Sequence, residues 1–349
     1  MNKGELAEPL AATRILLDGR LDFLSPGSRS VSSVEITSVL SGNSEIRIAE
    51  NGNLNRPDGT AIPRQALEEA AATLSRTMTN GIEGNETAIE KTKAFFEEVL
   101  RFPIKGSSAR KDDLRLMPRN APLSMASGYS IKGIGGSKAS ILNASGATGI
   151  NLYFARPPFD RLPANVRPAE VLQKLGKKAE NPLAESGPAN RVFVGNLRQI
   201  DTTFPKTLTK TIFLFHLLGE PRLEPLIKRT IIRDDDEASE TTRVRGNFIR
   251  FLEACLEGMK PATSWSGQRT ADGGIILVEA GNGGDRLVAI PSQAREFLGD
   301  RLFDAASFDT PSITRHPIRP RFENDVLRIT ITAQIRLDLA NILRRGENA

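Results

Sequence analysis

The sequence has almost no cysteine: Cys255 stands alone among 349 residues. A single cysteine excludes an internal disulfide and a cysteine-based zinc site. It lies in FIRFLEACLEG, where apolar residues recur at helical spacing, so it reads as a packing residue and not a catalytic thiol. Long apolar runs are also missing; none approaches the ~18 residues that span a bilayer. The opening stretch MNKGELAEPLAATRILLDGRL carries Glu5 and Glu8 where a secretion signal has an unbroken apolar core. These absences lead to the expectation of a cytoplasmic protein with no membrane partner. Histidine is scarce too. His216 sits in the apolar TIFLFHLLG and reads as a core residue, whereas His316 lies in a polar stretch.

Neither sign of charge dominates. Lys and Arg number 47 against 42 Asp and Glu, a net charge of +5. That is a weak pointer to an anionic partner such as nucleic acid. The acidic run Asp234, Asp235, Asp236 and Glu237 reads as a solvated loop or helix start, because like charges repel and stay in water. Hydrophobic residues make up 39% and charged residues 26%, an ordinary globular balance. The length allows one elaborated domain or two closely joined ones.

Pattern predicts a helix over residues 3–17 ending at Gly19, and a hairpin where Glu45–Ile48 meets Asn51-Gly52. Further helices are expected from Pro63 to about Ser75, and from the N-cap Asn85 to about Arg101. Strands follow at 113–117, 129–134 and 150–155, then helices at 168–175, 204–218 and 241–259. A hairpin at 274–279 and 286–290 comes before one long closing strand. From Leu327 to Leu337 apolar residues alternate with Arg328, Thr330, Thr332, Gln334 and Arg336, which puts the polar set on one face. That face meets water or, in the sharper reading, the edges of DNA bases, since Gln and Arg bond adenine and guanine bidentately.

Hydrolysing a phosphodiester with Mg²⁺ calls for hard oxygen ligands and a cation against the phosphate. Two adjacent strands can supply both. Asp113 opens Asp-Leu-Arg-Leu, and Ser130 and Lys132 follow in Gly-Tyr-Ser-Ile-Lys, two residues apart and so on one face. This resembles the acid-strand, turn, X-x-Lys layout of PD-(D/E)XK nucleases, with Ser130 where a second acid is expected. Gly135-Gly136-Ser137-Lys138-Ala139-Ser140 is not a G-x-x-x-x-G-K-[ST] phosphate loop; it reads as a turn after the strand.

The longer run GYSIKGIGGSKASILNASGAT resembles the core block of HpaII-type restriction endonucleases. DGGIILVE, DTPSITRH and LRITITAQIRL resemble in order the family's C-terminal hairpin, its Thr-Ser-Arg-His-like segment and its closing Gln-Ile-Arg strand, and GELAEPLAATRILLDGRL its opening helix. The likeness touches both ends and the middle, and is vague over residues 156–260. It implies an α/β fold with a PD-(D/E)XK-like mixed sheet flanked by helices and additional C-terminal strands. The divisions expected are an N-terminal helix and hairpin region (1–80), a nuclease core (81–160), and a helical insertion with strands completing the core and the DNA-recognition surface (161–349).

The resemblance also implies roles. Asp113 becomes a Mg²⁺ ligand and Lys132 the cation facing the phosphate, with Ser130 matching the family's Ser-x-Lys. A further ligand is required. Glu98 is preferred over Glu97 on the preceding helix, and Asn143 is an alternative neutral oxygen donor. Arg315, His316, Gln334 and Arg336 are the expected base or phosphate contacts, with Ser137 and Ser145 beside them. The implied activity is cleavage of duplex DNA at CCGG after the first C. The palindrome suggests a homodimer, and a cognate DNA methyltransferase would protect the host. The missing second acid leaves open a DNA-binding protein of this fold that does not cut.

Overall fold

The computed structural model describes residues 3–24, 31–81, 86–102, 112–119, 128–134, 138–159, 162, 166–176, 182–231, 237–268, 271–281, 284–292, 295–310 and 320–338. Helix α1 (Lys3–Asp18) leads into β1 (Arg20–Leu24), β2 (Val31–Ser41), β3 (Ser44–Ile48) and β4 (Leu54–Asn55). Helices α2 (Arg64–Asn80) and α3 (Glu86–Ala94) follow, and α3 widens into a π-helical turn, Phe95–Leu100. Next come β5 (Leu114–Pro118), β6 (Gly128–Ile134), β7 (Ala139–Leu142), β8 (Ile150–Ala155), α4 (Pro168–Leu175) and β9 (Gly187–Pro188). Helices α5 (Arg191–Ile200), α6 (Phe204–Leu218), α7 (Leu223–Thr230) and α8 (Glu237–Glu257) precede the hairpin β10 (Gly274–Glu279) and β11 (Arg286–Pro291). The chain then forms α9 (Arg295–Ala305), β12 (Ala306–Asp309), β13 (Arg321–Glu323), β14 (Val326–Ile331) and β15 (Gln334–Leu337). No helix among the described residues is long and apolar enough to cross a membrane.

The fold is mixed α/β, built on an eight-stranded sheet of order β1-β11-β10-β6-β5-β2-β3-β4. Its strands come from both ends and the middle of the chain. β1 also pairs with β2, so the sheet curls back on itself. β2 makes this possible. Val31 to Glu35 pair with β1, the rest of the strand pairs with β5 and β3, and the register slips between Ile36 and Ser38. Such a bulge bends a strand from one partner to the next.

Two apolar clusters hold the molecule together. In the first, Leu6, Leu10, Ile15 and Leu16 of α1 and Leu67 and Leu74 of α2 pack on Leu114, Leu116, Tyr129, Ile131, Ile276 and Val278 of the sheet. α1 is apolar on nearly every side because it is buried on nearly every side. Gly19, at φ +62°, ends it, with its N–H bonded to the Ile15 carbonyl. The opposite sheet face carries Ile275, Leu277 and Ile290 into the second cluster. There helices α4 to α8 pack against a three-stranded sheet, β12-β15-β7, and a four-stranded sheet, β13-β14-β8-β9.

The long closing strand is not one strand. Its alternation persists, but β14 belongs to the four-stranded sheet and β15 to the three-stranded one, with the break at Thr332–Ala333. At the break the Thr332 carbonyl accepts a hydrogen bond from Nε2 of the buried His216, at 3.0 Å. The polar set is thereby divided between two sheets, Arg328 and Thr330 on one and Gln334 and Arg336 on the other.

Candidate active site

β5 and β6 run antiparallel, with Leu114 opposite Tyr129. Leu114, Leu116, Tyr129 and Ile131 face the first cluster, so alternation turns Asp113, Arg115, Ser130 and Lys132 to the other face. The contacts agree. Asp113 Oδ2 accepts from the Ile131 backbone N–H at 2.6 Å and from Ser130 Oγ at 3.4 Å, and the Asp113 N–H donates to the Tyr129 carbonyl at 2.9 Å. The carboxylate is pinned against β6. Ser130 is 1% exposed, so its hydroxyl points into protein and toward Asp113. Lys132 is half-buried, one side-chain repeat beyond Ser130.

The site sits where the sheet face changes character. On one side, β10 runs parallel to β6 and sets Ile275 beside Ser130 and Leu277 beside Lys132, both apolar residues of the second cluster. On the other side, Arg115 and Met117 of β5 are exposed. An extended anionic substrate can therefore approach Lys132 across the β5 side.

Two acids that sequence pattern did not mark crowd the start of β6. The Gly128 N–H donates to Asp272 Oδ1 at 2.8 Å, and a Cβ at Gly128 would lie 2.5 Å from the Asp112 Cβ. The glycine of Gly-Tyr-Ser-Ile-Lys is thus required by close approach. Asp112 lies 3.7 Å from Arg115. Burial, and then the charge of Asp272, push the Tyr129 hydroxyl above the usual tyrosine range. Burial holds His216 down to about 4, so the ring is neutral and structural, as its apolar context suggests. Cys255 is buried in α8, in keeping with a packing role.

The other expected residues fall in several places. Glu97 and Glu98 are both exposed on the π-helical turn, and the Glu98 backbone carbonyl is bound by Arg56, which follows β4 at the far edge of the sheet. Neither carboxylate is brought to Asp113 by any described contact. Among the described residues no group of three His, Cys, Asp or Glu side chains is placed to hold a metal. Ser145 caps a short 3₁₀ turn, and its N–H donates to Thr148 Oγ1 at 2.9 Å. Ser137, Arg315 and His316 lie outside the described residues, as do Asp234, Asp235 and Asp236.

A second polar constellation lies on the three-stranded sheet. Arg336 of β15 stands opposite Ser307 of β12 and Ser140 of β7, and Gln334 stands opposite Asp309. Directly opposed residues share a face. Arg336 Nε lies 2.8 Å from Asp309 Oδ2, Lys138 Nζ donates to Ser307 Oγ at 3.1 Å, and Ser140 Oγ donates to Asn143 Oδ1 at 2.7 Å. Asn143 is thus joined through Ser140 to the face that carries Arg336 and Gln334. The opposite face, with Phe308, Ile335, Leu337 and Leu142, is buried in the second cluster.

The family model for the HpaII restriction endonuclease matches residues 2–319. The Type II restriction enzyme HpaII of Haemophilus parainfluenzae is 24% identical over 361 residues, covering 96% of this chain and 98% of that protein. No solved structure matches the chain.

Proposed function

The chain belongs to the HpaII restriction endonuclease family and is a Type II site-specific deoxyribonuclease acting on double-stranded DNA; from that premise we propose that it cuts with Mg²⁺ at CCGG or a related short palindrome, using Asp113 and Lys132. The observation that carries this reading is the shared sheet face, where Asp113 is pinned to β6 beside Ser130 and Lys132 follows at the open side.

The donor set suits Mg²⁺. That ion takes hard oxygen ligands, often through only one or two carboxylates, with substrate phosphate and water completing its shell. Asp113 is the carboxylate that would hold it. When bound, the ion supplies charge neutralisation and a more acidic water. The protein's own residues do the rest. The Ile131 N–H and the Ser130 hydroxyl orient the Asp113 carboxylate. The Lys132 ammonium faces the scissile phosphate and offsets the charge that builds on it. Gln334 and Arg336 contact base edges, and Asn143 lies beside them. Recognition of a palindrome is best served by a two-fold homodimer. A cognate methyltransferase acting on the same site, in the same cytoplasm, completes the restriction-modification system.

The test is direct. Wild-type and Lys132→Ala protein are incubated with unmethylated plasmid and Mg²⁺, and the ends are sequenced. Discrete ends at one short palindrome, lost in the variant, are the expected result. Binding without cutting supports a non-cleaving DNA-binding protein. Neither binding nor cutting across salt and metal conditions overturns the reading.

A further inference from the structure

We propose that Asp309 is a specificity-determining residue, its carboxylate accepting a hydrogen bond from the exocyclic amino group of a cytosine while Arg336, held beside it, donates to the paired guanine. The inference rests on the nuclease reading above.

Arg336 and Asp309 lie diagonally across β15 and β12, Nε to Oδ2 at 2.8 Å. Their side chains are 31% and 45% exposed, so the pair is braced but still open to a ligand. With the buried Nε turned against Asp309 in an ion pair, the far end of the guanidinium fork remains as a double donor. The carboxylate keeps acceptor capacity, since it can take about four hydrogen bonds. The constellation is therefore a rigid row of donors next to acceptors.

A G·C pair shows the complementary row in the major groove: N7 and O6 of guanine accept, and N4 of cytosine donates. O6 and N4 are themselves hydrogen-bonded, so they lie roughly 2.9 Å apart. The ion pair, Nε to Oδ2 at 2.8 Å, holds the two groups together, so the outer guanidinium N–H groups and the carboxylate likewise stand side by side. An A·T pair shows N6 as a donor where O6 would be, and O4 as an acceptor where N4 would be. The same row then meets donor against donor and acceptor against acceptor. One ion pair thus favours G·C and opposes A·T.

The surroundings support the placement. The face carrying the pair also carries Gln334, Ser140 and Ser307, while the reverse face is buried apolar core, so this face is the one available. Lys138 Nζ lies on Ser307 Oγ at the edge of the same sheet, a cation in place for a flanking phosphate. β-sheets are known readers of DNA grooves.

The rival account is an ion pair that merely braces β12 against β15. A base-analogue cycle separates the two. Duplexes carrying the cleavage site, first mapped with wild-type protein, are made with 2-pyrimidinone replacing one cytosine at a time, which deletes only the N4 amino group. Cleavage rates are measured for wild type, Asp309→Ala and Asp309→Asn, with circular dichroism confirming the fold. Wild type should lose on the order of 10- to 100-fold in rate at one cytosine position, the scale of a hydrogen bond to a charged group. Asp309→Ala should cut the cytosine and pyrimidinone duplexes at that position at the same rate. If Asp309→Ala and Asp309→Asn slow both duplexes equally and keep the wild-type sensitivity to the missing amino group, the pair is a brace and the proposal fails. Wild-type protein that leaves the unmodified duplex intact overturns the nuclease reading instead, and this inference with it.

Discussion

Replacing Asp113 separates what its carboxylate does for the fold from what it does for the reaction. Asp113 Oδ2 accepts from the Ile131 backbone N–H at 2.6 Å and from Ser130 Oγ at 3.4 Å. Asp113→Asn keeps a carbonyl oxygen of the same reach, so the N–H bond survives and the loss is about 1 kcal/mol, the difference between a charged and a neutral acceptor. Asp113→Ala orphans a backbone donor of a strand whose Ser130 and Ile131 are buried, which costs about 1–3 kcal/mol. Urea unfolding should therefore rank wild type, then Asn, then Ala. Cleavage should not follow that rank. Both variants lack the anionic oxygen that would hold the metal on the proposed reading. Losing several kcal/mol of charge stabilisation, at 1.4 kcal/mol per decade, lowers the rate by about 10³-fold or more. Single-turnover cleavage of a plasmid carrying the mapped site measures this. Asp113→Asn cutting within about tenfold of wild type would refute the metal-ligand role, and equal stability of the two variants would refute the hydrogen-bond argument.

Two further outcomes follow from the packing. His216 has its folded pKa at about 4 against an ordinary 6.5, so the unfolded chain binds the extra proton. Its contribution to stability is then fully present above pH 6.5 and is lost as pH falls toward 4. Urea midpoints should show a drop of about 2 kcal/mol between pH 8 and pH 5, and His216→Gln should flatten that slope; an unchanged slope in the variant contradicts the assignment. Gly128→Ala places a methyl 2.5 Å from the Asp112 Cβ, so β5 and β6 must part. We expect about 1–3 kcal/mol of destabilisation together with slower cleavage, whereas a variant as stable and active as wild type would show that the approach is easily relieved.

Much of the fold was legible because its elements are strongly periodic. Helix α4 and the helix Phe204–Leu218 fall where the pattern puts them, as do the hairpin of β10 and β11 and the strands around Lys132. Strand β2 was not legible. Its Val-Ser-Ser-Val-Glu-Ile-Thr-Ser begins with exposed residues and pairs with different neighbours along its length, so it lacks the alternation of a half-buried strand. The closing strand failed in the opposite way. Its alternation is unbroken, yet period two reports only which side is buried, not which sheet a residue joins, and the carbonyl at the split is bonded by a histidine over a hundred residues earlier. That Asp113, Ser130 and Lys132 share one sheet face was legible from the two-residue alternation of Gly-Tyr-Ser-Ile-Lys. The facing of Glu98 was not legible, because a helix position read at 100° per residue loses its phase when the last turn widens to a π-helix. Asp272 and Asp112 escaped for a simpler reason: nothing in TADGG or KDDL says that the start of β6 will be there.

The connection between the two constellations is short, and this bears on how cutting follows reading. β6 ends at Ile134 in the eight-stranded sheet, and Ser140, six residues on, already stands opposite Arg336 in the three-stranded sheet. Lys132 and the proposed base-reading face are thus close along the chain, each part of its own sheet. β15 in turn is held by β12 through Arg336 and Asp309 and by His216 at the break before it. On the proposed reading, a wrong base pair that repels the Asp309–Arg336 row would hold the three-stranded sheet off the groove, and cleavage, which needs Lys132 against the phosphate, would slow. Discrimination at such a site should therefore be larger in the cleavage rate than in binding, since phosphate contacts elsewhere sustain affinity without regard to sequence.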